Sequence, residues 1–586
     1  MPRFFPVRFK SGPTFVFVFF LFGYVFQGCR SGTTGEKNAI PTDSATITSG
    51  RMIFIRNCAS CHGFGQDGIG PTLGGIAEAV AADWLLRFIK HPQQVIASGD
   101  KRADSLFKRF KSVMPSFDAI PEKDLLAVLA FLKTHGSSRA DLLKEHDGNI
   151  ADPIPEKIKF SGLTANLVPV TQFPPSAAPG KFPKTRITKL AFSPGSGDLF
   201  VNDLRGKLYK LKNNVPRVYL DLPRLKPQFI DEPGLATGFG SFAFHPDFIK
   251  NGLFYTTHTE KPGSGKSDFT YPDSIKVEVQ WVLTEWKASN PAADTFSGTS
   301  RELLRINMVS GAHGVQEITF DPLAKPGSAD YGLLYIGVGD GASVQEGYPF
   351  IPHAKNKIWG SIIRIDPLGK NSANGKYGIP ATNPFAREKT PGIVKEIYAY
   401  GFRNPHRITW TRSGLMLASH IGQSNLESIY LIRPGRDYGW PIREGNFLFN
   451  PYGNLNHVYP LPANDSLYKI TYPIASFDHD EGNAISGGYE YWGANIQALK
   501  GKFLFGDIPS GRLFYIDLAA IGKKVPVTVR EWKITIDGVP ETLKKVCGSD
   551  RVDLRFGRDA KGDVYILTKS DGRLYKISGA VMESQK

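Results

Sequence analysis

Dense runs of lysine and arginine are missing from this chain, although its 586 residues carry a formal net charge of +16. The cationic residues are scattered and stand beside no nucleic-acid-binding motif, so nucleic acid is not an expected partner. A solvated basic surface accounts for the charge, and attraction to an acidic partner or substrate is the alternative. Hydrophobic residues make up 41% and charged residues 22%, which is typical of folded domains with a large core.

Apolar stretches that would cross a bilayer as a mature helix are also missing, because the run at residues 15–26 is too short. Basic residues precede this run at Arg3, Arg8 and Lys10. A basic segment followed by a short apolar run is typical of a signal peptide, and we predict one at residues 1–28.

The apolar run ends in Gly28 and Cys29, which resembles a bacterial lipobox. Cleavage before Cys29 and lipidation of its thiol would anchor the chain to a membrane. Ordinary secretion with an incidental Cys29 is the alternative. Residues 29–47 are rich in Ser, Thr and Gly and are predicted to be a flexible tether.

Cysteine is scarce, with four in the whole chain. Cys58 and Cys61 belong to the sequence Cys-Ala-Ser-Cys-His, which ends at His62. Two thiols at this spacing add to the vinyl groups of a haem, and the histidine that follows is placed as the proximal iron ligand. The motif predicts a covalently bound haem c. A chance or thioredoxin-like Cys-x-x-Cys pair is the alternative.

If Cys29 carries lipid and two other cysteines carry haem, only Cys547 is left, so no disulfide framework is expected. Cys547 is predicted to be a buried small hydrophobic residue.

The second axial ligand of the haem iron is predicted to be Met114, because a soft thioether suits haem iron. Met52, His91 and His135 are the alternative ligands. Met52 is expected instead to pack within a helix, and the two histidines to lie at the surface or in the core.

The haem motif, Gly-Pro-Thr-Leu at 70–73 and Met-Pro-Ser-Phe at 114–117 follow one another in an order that resembles a class I cytochrome c. Residues 48–136 are therefore predicted to form a small all-α cytochrome c domain, and residues 137–165 a linker.

Residues 166–582 have a different texture, with short β-type runs separated by Gly, Pro and Asp. One pattern of two strands and a turn, with the second strand opening on Gly, recurs at residues 187–201, 242–255, 318–336, 408–417, 488–505 and 552–566. Six copies predict an all-β six-bladed propeller after the cytochrome domain. A pair of β-sandwiches is the alternative.

Several stretches between residues 187 and 577 resemble the glucose/sorbosone dehydrogenase family, whose soluble members are propellers that use pyrroloquinoline quinone and Ca²⁺. The matching stretches are FAFHPDF at 242–248, HGVQ at 313–316, VGDG at 338–341, GSIIRID at 360–366, YGFRNP at 400–405 and YGWP at 438–441.

The resemblance implies a role for three residues. His313 would be the general base that takes the proton of a sugar hydroxyl while hydride passes to the quinone, which suits the near-neutral pKa of imidazole. Arg403 and Asn404 would lie beside the cofactor, where a guanidinium stabilises developing negative charge. The alternatives are a histidine in a strand turn and a structural ion pair.

The resemblance also implies that the backbone carbonyls of Gly422 and Gln423 hold Ca²⁺ through hard oxygen ligands. Arg551 and Arg555 lie where the family places arginines for the quinone's carboxylates, and the register between them is ambiguous. This sequence departs from the family at two positions. The stretch in which soluble members have a cofactor-binding lysine reads Gly-Asp-Ile-Pro-Ser-Gly at 506–511 and contains no lysine. The residue before the base, which is usually acidic in the family, is Ala312.

Together these features predict an exported quinoprotein that oxidises a sugar or sugar alcohol, an aldose above all. Its electrons would pass to its own haem c and on to an external acceptor, such as another cytochrome or a terminal oxidase. We expect a lipid anchor that holds it to a membrane, facing the periplasm or cell surface of a bacterium. The alternative is a non-enzymatic propeller that binds sugar or protein. If the protein is the enzyme, we expect His313, Arg403 and Gly422 to lie together in the fold. If they lie apart, the binding protein is favoured.

Overall fold

The computed structural model describes residues 39–58, 62, 71, 73–110, 114, 116–135, 148–233, 236–272, 275–523 and 526–583. The predicted signal peptide, Cys29 and Cys61 lie outside the described residues. Among the described residues, no helix is long and apolar enough to span a membrane.

The N-terminal part of the described chain is helical. Its helices are α1 (Ser44–Asn57), α2 (Ile76–Ala79), α3 (Ala82–Lys90), α4 (Pro92–Ala97), α5 (Lys101–Phe110) and α6 (Glu122–Lys133). Asp43 caps α1, because its carboxylate accepts a hydrogen bond of 2.9 Å from the amide of Thr46. The end of the predicted tether is therefore helical rather than flexible, a correction that the capping aspartate explains.

Helices α1 and α6 form the centre of this all-α domain. Phe54 and Phe131 pack with their ring centroids 5.4 Å apart, within a cluster of leucines and valines from α3 and α6. Gly50 permits this close approach, because a Cβ atom there would lie 1.8 Å from the carbonyl oxygen of Ala127.

The remainder of the chain is rich in β-structure, and its first strand lies earlier than predicted. Strand β1 (Phe160–Gln172) begins inside the segment predicted as linker. The linker is also tied down before it, because the amide of Ile150 donates to the carbonyl of Val458 and that of Ile154 to Asp478. The prediction of a loose linker through residue 165 is corrected accordingly.

Antiparallel strands in sequence order form most of the sheets. The first sheet has β2 (Ile187–Phe192), β3 (Leu199–Asp203), β4 (Lys207–Lys212) and β5 (Val215–Asp221). The second has β6 (Phe239–Phe244), β7 (Leu253–Glu260), β8 (Val279–Ala288) and β9 (Gly298–Met308). The third has β10 (Glu317–Phe320), β11 (Leu334–Val338), β12 (Ser361–Ile365) and β13 (Ile397–Tyr400).

The fourth sheet contains an insertion. Its strands are β14 (Asn404–Trp410), β15 (Met416–Ile421), β16 (Leu426–Leu431) and β20 (Ala475–Asp478). The insertion lies between β16 and β20 and forms a small separate sheet of β17 (Arg443–Glu444), β18 (Phe447–Phe449) and β19 (Val458–Tyr459). The fifth has β21 (Tyr489–Glu490), β22 (Lys502–Gly506), β23 (Leu513–Asp517) and β24 (Arg530–Ile536), with β25 (Val539–Glu541) paired to β24.

The sixth group combines both ends of the β-rich part. Strands β26 (Leu554–Arg558), β27 (Val564–Thr568) and β28 (Arg573–Met582) pair in order, and β1 adds antiparallel to β28. Parallel contacts of β1 with β24 and of β26 with β2 join the fifth, sixth and first groups into one continuous sheet. Short helices lie at α7 (Leu222–Leu225), α8 (Phe248–Asn251) and α9 (Leu543–Cys547), and 3-10 turns at Asp465–Tyr468, Gln497–Leu499 and Leu518–Ala520.

Each of the six repeats found in the sequence corresponds to the first two strands of one group, and the two strands pair antiparallel in every case. Buried apolar clusters lie between groups that follow one another in the chain, and one more lies between the sixth group and the first. The core is thus a succession of sheet-to-sheet interfaces.

Candidate active site and haem-binding site

His62 of the haem motif is held in an orientation that suits an iron ligand. Its Nδ1 lies 2.7 Å from the carbonyl oxygen of Pro71, so Nδ1 carries the proton and Nε2 is left for a metal. Burial lowers the pKa of His62, which favours the neutral, ligating imidazole. Half-buried Cys58 ends α1, and its carbonyl accepts the amide of His62 at 3.0 Å.

Met114 is half-buried between α5 and α6. The segment after it is fixed to the end of α3, because the Ser116 hydroxyl donates to the Lys90 carbonyl at 2.5 Å and the Phe117 amide to the Ile89 carbonyl at 3.1 Å.

The alternative histidine ligands have other partners. His91 lies 3.5 Å from the carboxylate of Asp118, and Nδ1 of His135 lies 3.0 Å from the Phe131 carbonyl. Met114 stays the predicted ligand, and the side chain of Met52 lies outside the described residues.

His313 is oriented by a buried carboxylate. Its Nδ1 lies 2.9 Å from Oδ1 of Asp340, whose side chain is 0% exposed. Asp340 also accepts the amide of Ala342 at 2.8 Å and, on its other oxygen, the indole N–H of Trp440 at 2.9 Å. Because all three groups donate to Asp340, Nδ1 carries the proton of His313, and Nε2 is free to accept one.

The backbone around His313 is tightly packed. His313 has a positive φ of 46°, and a Cβ atom at Gly339 would lie 2.0 Å from its carbonyl oxygen. Glycine at 339 is therefore required for the loop of His313 to approach the end of β11. Burial, and then the charge of Arg403, hold the pKa of His313 below its ordinary value, although Asp340 opposes the shift.

Arg403 lies next to this pair. Its carbonyl accepts the amide of Asp340 at 2.7 Å, and its guanidinium donates to the Gly422 carbonyl, to Gln423 Oε1 at 2.9 Å and to Gln345 Oε1 at 3.3 Å. Burial lowers the pKa of this arginine, but the nearby carboxylates oppose the shift. Arg403 is therefore a cation held mainly by neutral oxygens.

His420 supports Arg403 from the next strand. Its Nε2 accepts the backbone amide of Arg403 at 2.8 Å. Burial, followed by the charges of Arg403 and His313, lowers the pKa of His420 to about 3, so the ring is neutral and suited to accepting this hydrogen bond. Asn404 is buried at the start of β14, where it pairs with Ile421.

The loop after β15 is organised around Glu444. One carboxylate oxygen of Glu444 accepts four successive backbone amides, from residues 423–426, at 2.7–3.1 Å. A Cβ atom at Gly422 would lie 1.8 Å from the Leu426 carbonyl oxygen, so only glycine fits this turn. The Gly422 carbonyl, one of the two predicted calcium ligands, accepts the guanidinium of Arg403.

Arg551 and Arg555 have different surroundings. The Arg551 side chain is 55% exposed and lies 2.8 Å from Asp553. Arg555 is buried, its Nε has no hydrogen-bond partner among the described residues, and burial together with nearby Arg407 lowers its pKa to about 9. Its guanidinium donates to the carbonyl of Leu554 at 2.7 Å but forms no ion pair among the described residues. A buried guanidinium with an unpartnered Nε is suited to an anionic ligand, which favours Arg555 over Arg551 as the cofactor residue.

His406 is a buried imidazole on which the charges of both this arginine and the base act. Neither ring nitrogen of this buried imidazole has a partner among the described residues. Burial lowers its pKa well below the ordinary value, and the charges of Arg407, Arg555, Lys569 and His313 act on it in the same direction. The base and the buried cations therefore share one electrostatic environment.

The predicted site residues His313, Arg403 and Gly422 do converge, through the contacts of Asp340 with His313 and Arg403 and of Arg403 with Gly422. Unsatisfied donors on buried cations fit an anionic quinone that carries carboxylates. Calcium fits less well, because the oxygen that would bind it already accepts a cationic donor.

A family model described as Glucose / Sorbosone dehydrogenase matches residues 185–576. The chain belongs to the glucose/sorbosone dehydrogenase family. A second family model, for cytochrome c, matches residues 47–136. A cytochrome c domain therefore precedes the large β-rich dehydrogenase domain in this family member.

Curated relatives with distinct names match the same part of the chain. HIPL1 protein of Arabidopsis thaliana is 26% identical over 387 residues, covering 58% of this chain and 53% of that protein. Hedgehog-interacting protein of Mus musculus is 26% identical over 385 residues, with 61% and 45% covered. Quinoprotein glucose dehydrogenase B of Acinetobacter calcoaceticus is 26% identical over 343 residues, with 54% and 64% covered. The chain thus spans about half the length of these relatives.

Among solved structures, the PQQ-bound form of aldose sugar dehydrogenase from Streptomyces coelicolor is similar, with 20% identity and a TM-score of 0.45 over 71% of this chain and 97% of that chain.

Sequence reasoning about this glucose/sorbosone dehydrogenase family member gave no role to three residues that organise the site. Asp340 orients the base, Trp440 donates to Asp340, and Glu444 holds the loop of Gly422. One signal was available: Asp340 stands between two glycines at the end of an apolar strand, where a buried carboxylate needs a specific partner.

Proposed function

We propose that this protein oxidises a sugar or related sugar alcohol with pyrroloquinoline quinone and passes the electrons to its own haem c. The observation that carries the proposal is the contact of His313 with buried Asp340 beside Arg403. This arrangement provides a neutral imidazole with a free nitrogen next to a buried cation, as the oxidation of a hydroxyl group requires.

The six groups of strands are proposed to be the blades of a closed propeller. Two features support closure: the apolar clusters link each group to the next and the sixth to the first, and strand β1 completes the sixth group beside β28. Closure would bring the ends of several sheets together at one site, which is where His313 and Arg403 approach each other.

Each residue has a defined task in the proposed reaction. Nε2 of His313 accepts the hydroxyl proton of the substrate, while Asp340 retains the Nδ1 proton and stabilises the imidazolium that forms. Bound pyrroloquinoline quinone would supply an acceptor for the hydride on the carbon that carries this hydroxyl group. Arg403 stabilises the negative charge that develops nearby, and Asn404 lies beside it as a second polar group. The substrate thereby loses one hydride and one proton.

Arg555 is proposed to bind a carboxylate of the quinone, because its buried Nε has no partner among the described residues. A calcium ion at the carbonyls of Gly422 and Gln423 stays a prediction. Arg403 donates to the Gly422 oxygen, so a cation would bind there only if the guanidinium turned away. We derive no step from calcium.

The haem is proposed to be the outlet for the two electrons, which leave one at a time to an external acceptor. Fusion favours this transfer, because a tethered partner has an effective concentration in roughly the millimolar range. His62 and Met114 would be the axial ligands, and Cys58 and Cys61 the covalent attachments. Export and a lipid anchor at Cys29 are part of the same proposal and rest on residues 1–29 alone.

The experiment reconstitutes the haem-loaded protein with pyrroloquinoline quinone and Ca²⁺ and follows the reduced haem absorbance bands as sugars are added. We expect an aldose to reduce the haem only when the quinone is present. A protein without added quinone and a His313→Ala variant are the controls. Absence of haem reduction with every sugar, despite bound quinone, would contradict the enzyme proposal.

A second candidate is a binding function, which the similarity to Hedgehog-interacting protein favours. In that case the cytochrome domain would be an independent electron carrier. Binding of sugar without quinone-dependent haem reduction, measured by calorimetry on the same preparation, would support this candidate over the enzyme.

A further inference from the structure

We propose that Lys569 is an anion-binding residue of the quinone site and that it binds a carboxylate group of the cofactor together with Arg555. This inference rests on the proposed function and adds to it one residue that no sequence motif indicated. It begins from a lysine whose backbone is fixed, whose side chain is buried, and whose ammonium group lacks a counter-ion.

The backbone of Lys569 is held on both sides. It directly follows β27, and its carbonyl accepts the amide of Thr185 at 3.2 Å and the hydroxyl of Thr185 at 3.1 Å. Its amide donates to the carbonyl of Asp553 at 3.4 Å. The side chain starts from this fixed point next to β26, the strand that carries Arg555, and the residue is 6% exposed.

The charged groups around Lys569 are mostly of its own sign. The charges of Arg555, Arg186 and Arg407 act on it, with Asp553 as the acidic group. In the β26–β27 pair, Arg555 lies opposite Leu567, two residues before Lys569 on the same face of the sheet. Asp553 is already 2.8 Å from Arg551. Within the described parts of the chain, Nζ of Lys569 has neither a hydrogen bond nor an ion pair.

Arg407, one of the cations that act on Lys569, already has a carboxylate partner in Glu317. This carboxylate lies 2.5 Å from Lys189 and 3.3 Å from Arg407, so two cations already share one acid. A buried ammonium without a partner costs several kcal/mol in free energy. Burial, followed by the charge of Arg555, lowers the pKa of Lys569 well below its ordinary value. A bound carboxylate would reverse this by giving the ammonium a counter-ion.

The charge of Lys569 reaches the same buried region as the base. The charges of Lys569, Arg555 and His313 all act on the unpartnered ring of His406. An anion with more than one carboxylate would provide counter-ions for both Lys569 and Arg555. Pyrroloquinoline quinone has this chemistry, whereas a neutral sugar does not.

The test is direct titration of the quinone-free, haem-loaded full chain with pyrroloquinoline quinone, followed by quenching of tryptophan fluorescence. Lys569→Met keeps the length of the side chain and removes the charge. We expect it to weaken quinone binding by at least about tenfold, because it leaves a carboxylate in the site without its partner. Lys569→Arg is expected to retain most of the affinity, and Lys569→Gln is a second neutral variant.

Thermal unfolding without the quinone gives an independent readout. Lys569→Met should unfold at a higher temperature than the wild type near pH 7, since burial lowers the pKa of Lys569 in the folded state and the charged lysine is therefore less stable there than in the unfolded chain. The gain should vanish above about pH 10.5, where the unfolded lysine is neutral too. The control is Lys210→Met, because buried Lys210 lies 3.0 Å from Asp198: it should lower the unfolding temperature and leave quinone affinity unchanged.

Two outcomes would overturn the inference: quinone affinity of Lys569→Met and Lys569→Gln within about twofold of wild type, or a lower unfolding temperature with unchanged affinity, which marks a merely structural lysine. A wild-type protein that binds no quinone would instead refute the proposed function itself. The two failures are distinguishable because the first requires measurable binding to the wild type.

Discussion

Replacement of Asp340 by asparagine tests the proposed chemistry most sharply. Asp340 accepts hydrogen bonds from His313, Ala342 and Trp440 at 2.9, 2.8 and 2.9 Å. Asparagine offers one acceptor oxygen and one donor amide. If its oxygen faces His313 and Ala342, its NH2 group faces the indole N–H of Trp440, so that two donors point at each other. If it is turned around, its amide meets the Ala342 N–H and forces His313 into the tautomer that carries its proton on Nε2.

Either orientation damages the site. An unsatisfied donor pair costs about 1–3 kcal/mol, and the second orientation removes the free nitrogen that accepts the substrate proton. We expect turnover to fall by roughly 100- to 10,000-fold, with little change in quinone affinity. Asp340 also raises the pKa of His313, so the acid limb of kcat/KM, already below pH 6.5, should move to still lower pH in the variant.

The assay is quinone-dependent haem reduction by an aldose, measured across pH in wild type and variant. Asp437→Asn is a matched control, because Asp437 makes the same kind of contact with His353, at 2.8 Å, and should leave turnover unchanged. If Asp340→Asn retains near wild-type turnover, or if its acid limb moves to higher pH, Asp340 does not position the base.

Three further predictions concern residues that the structure describes, and a fourth, at Cys29, rests on the sequence. His313→Ala should reduce turnover by roughly 100- to 10,000-fold while quinone binding, measured by fluorescence, stays the same; near wild-type turnover would show that the base is another residue. Met114→Ala should abolish the weak methionine–iron absorbance band and lower the haem reduction potential in a redox titration, and an unchanged band would assign another ligand. Cys29→Ala should move the protein from the membrane to the soluble fraction, with mass spectrometry of the mature N-terminus as the check; intact unlipidated wild-type protein would refute the anchor. Gly50→Ala should destabilise the cytochrome domain by about 1–3 kcal/mol or more, since its Cβ would overlap the Ala127 carbonyl; an unchanged unfolding temperature would contradict the tight packing of α1 on α6.

Features that depend on local sequence could be predicted. The haem motif requires only residues within one turn of each other, and the six strand pairs are short alternating runs joined by glycine turns. The start of α1 was missed although Asp43 is a typical capping residue, and β1 was missed although it alternates apolar and polar positions. In both cases, residues predicted to belong to a tether or linker form the beginning of the first helix or strand of the domain that follows.

Features that depend on distant contacts could not be predicted in the same way. His313 meets an aspartate 27 residues away, which in turn meets a tryptophan 100 residues further on. The ambiguity between Arg551 and Arg555 is likewise one of burial. Arg551 is exposed and forms an ion pair with Asp553, whereas Arg555 is buried and its Nε has no partner among the described residues. Spacing along the chain carries no information about such differences, because they arise only when the sheets pack.

Strand β1 has a consequence for how the protein is made. Of the strands in the described residues, it is the first to leave the ribosome, yet it pairs along its length with β28, so that Leu163 lies opposite Met582. Until β28 has been synthesised, β1 presents unpaired N–H and C=O groups, which are prone to pair with other chains. A stop codon before β28 should therefore yield aggregated protein, and folding of the β-rich domain should be slow and late compared with the helical domain before it.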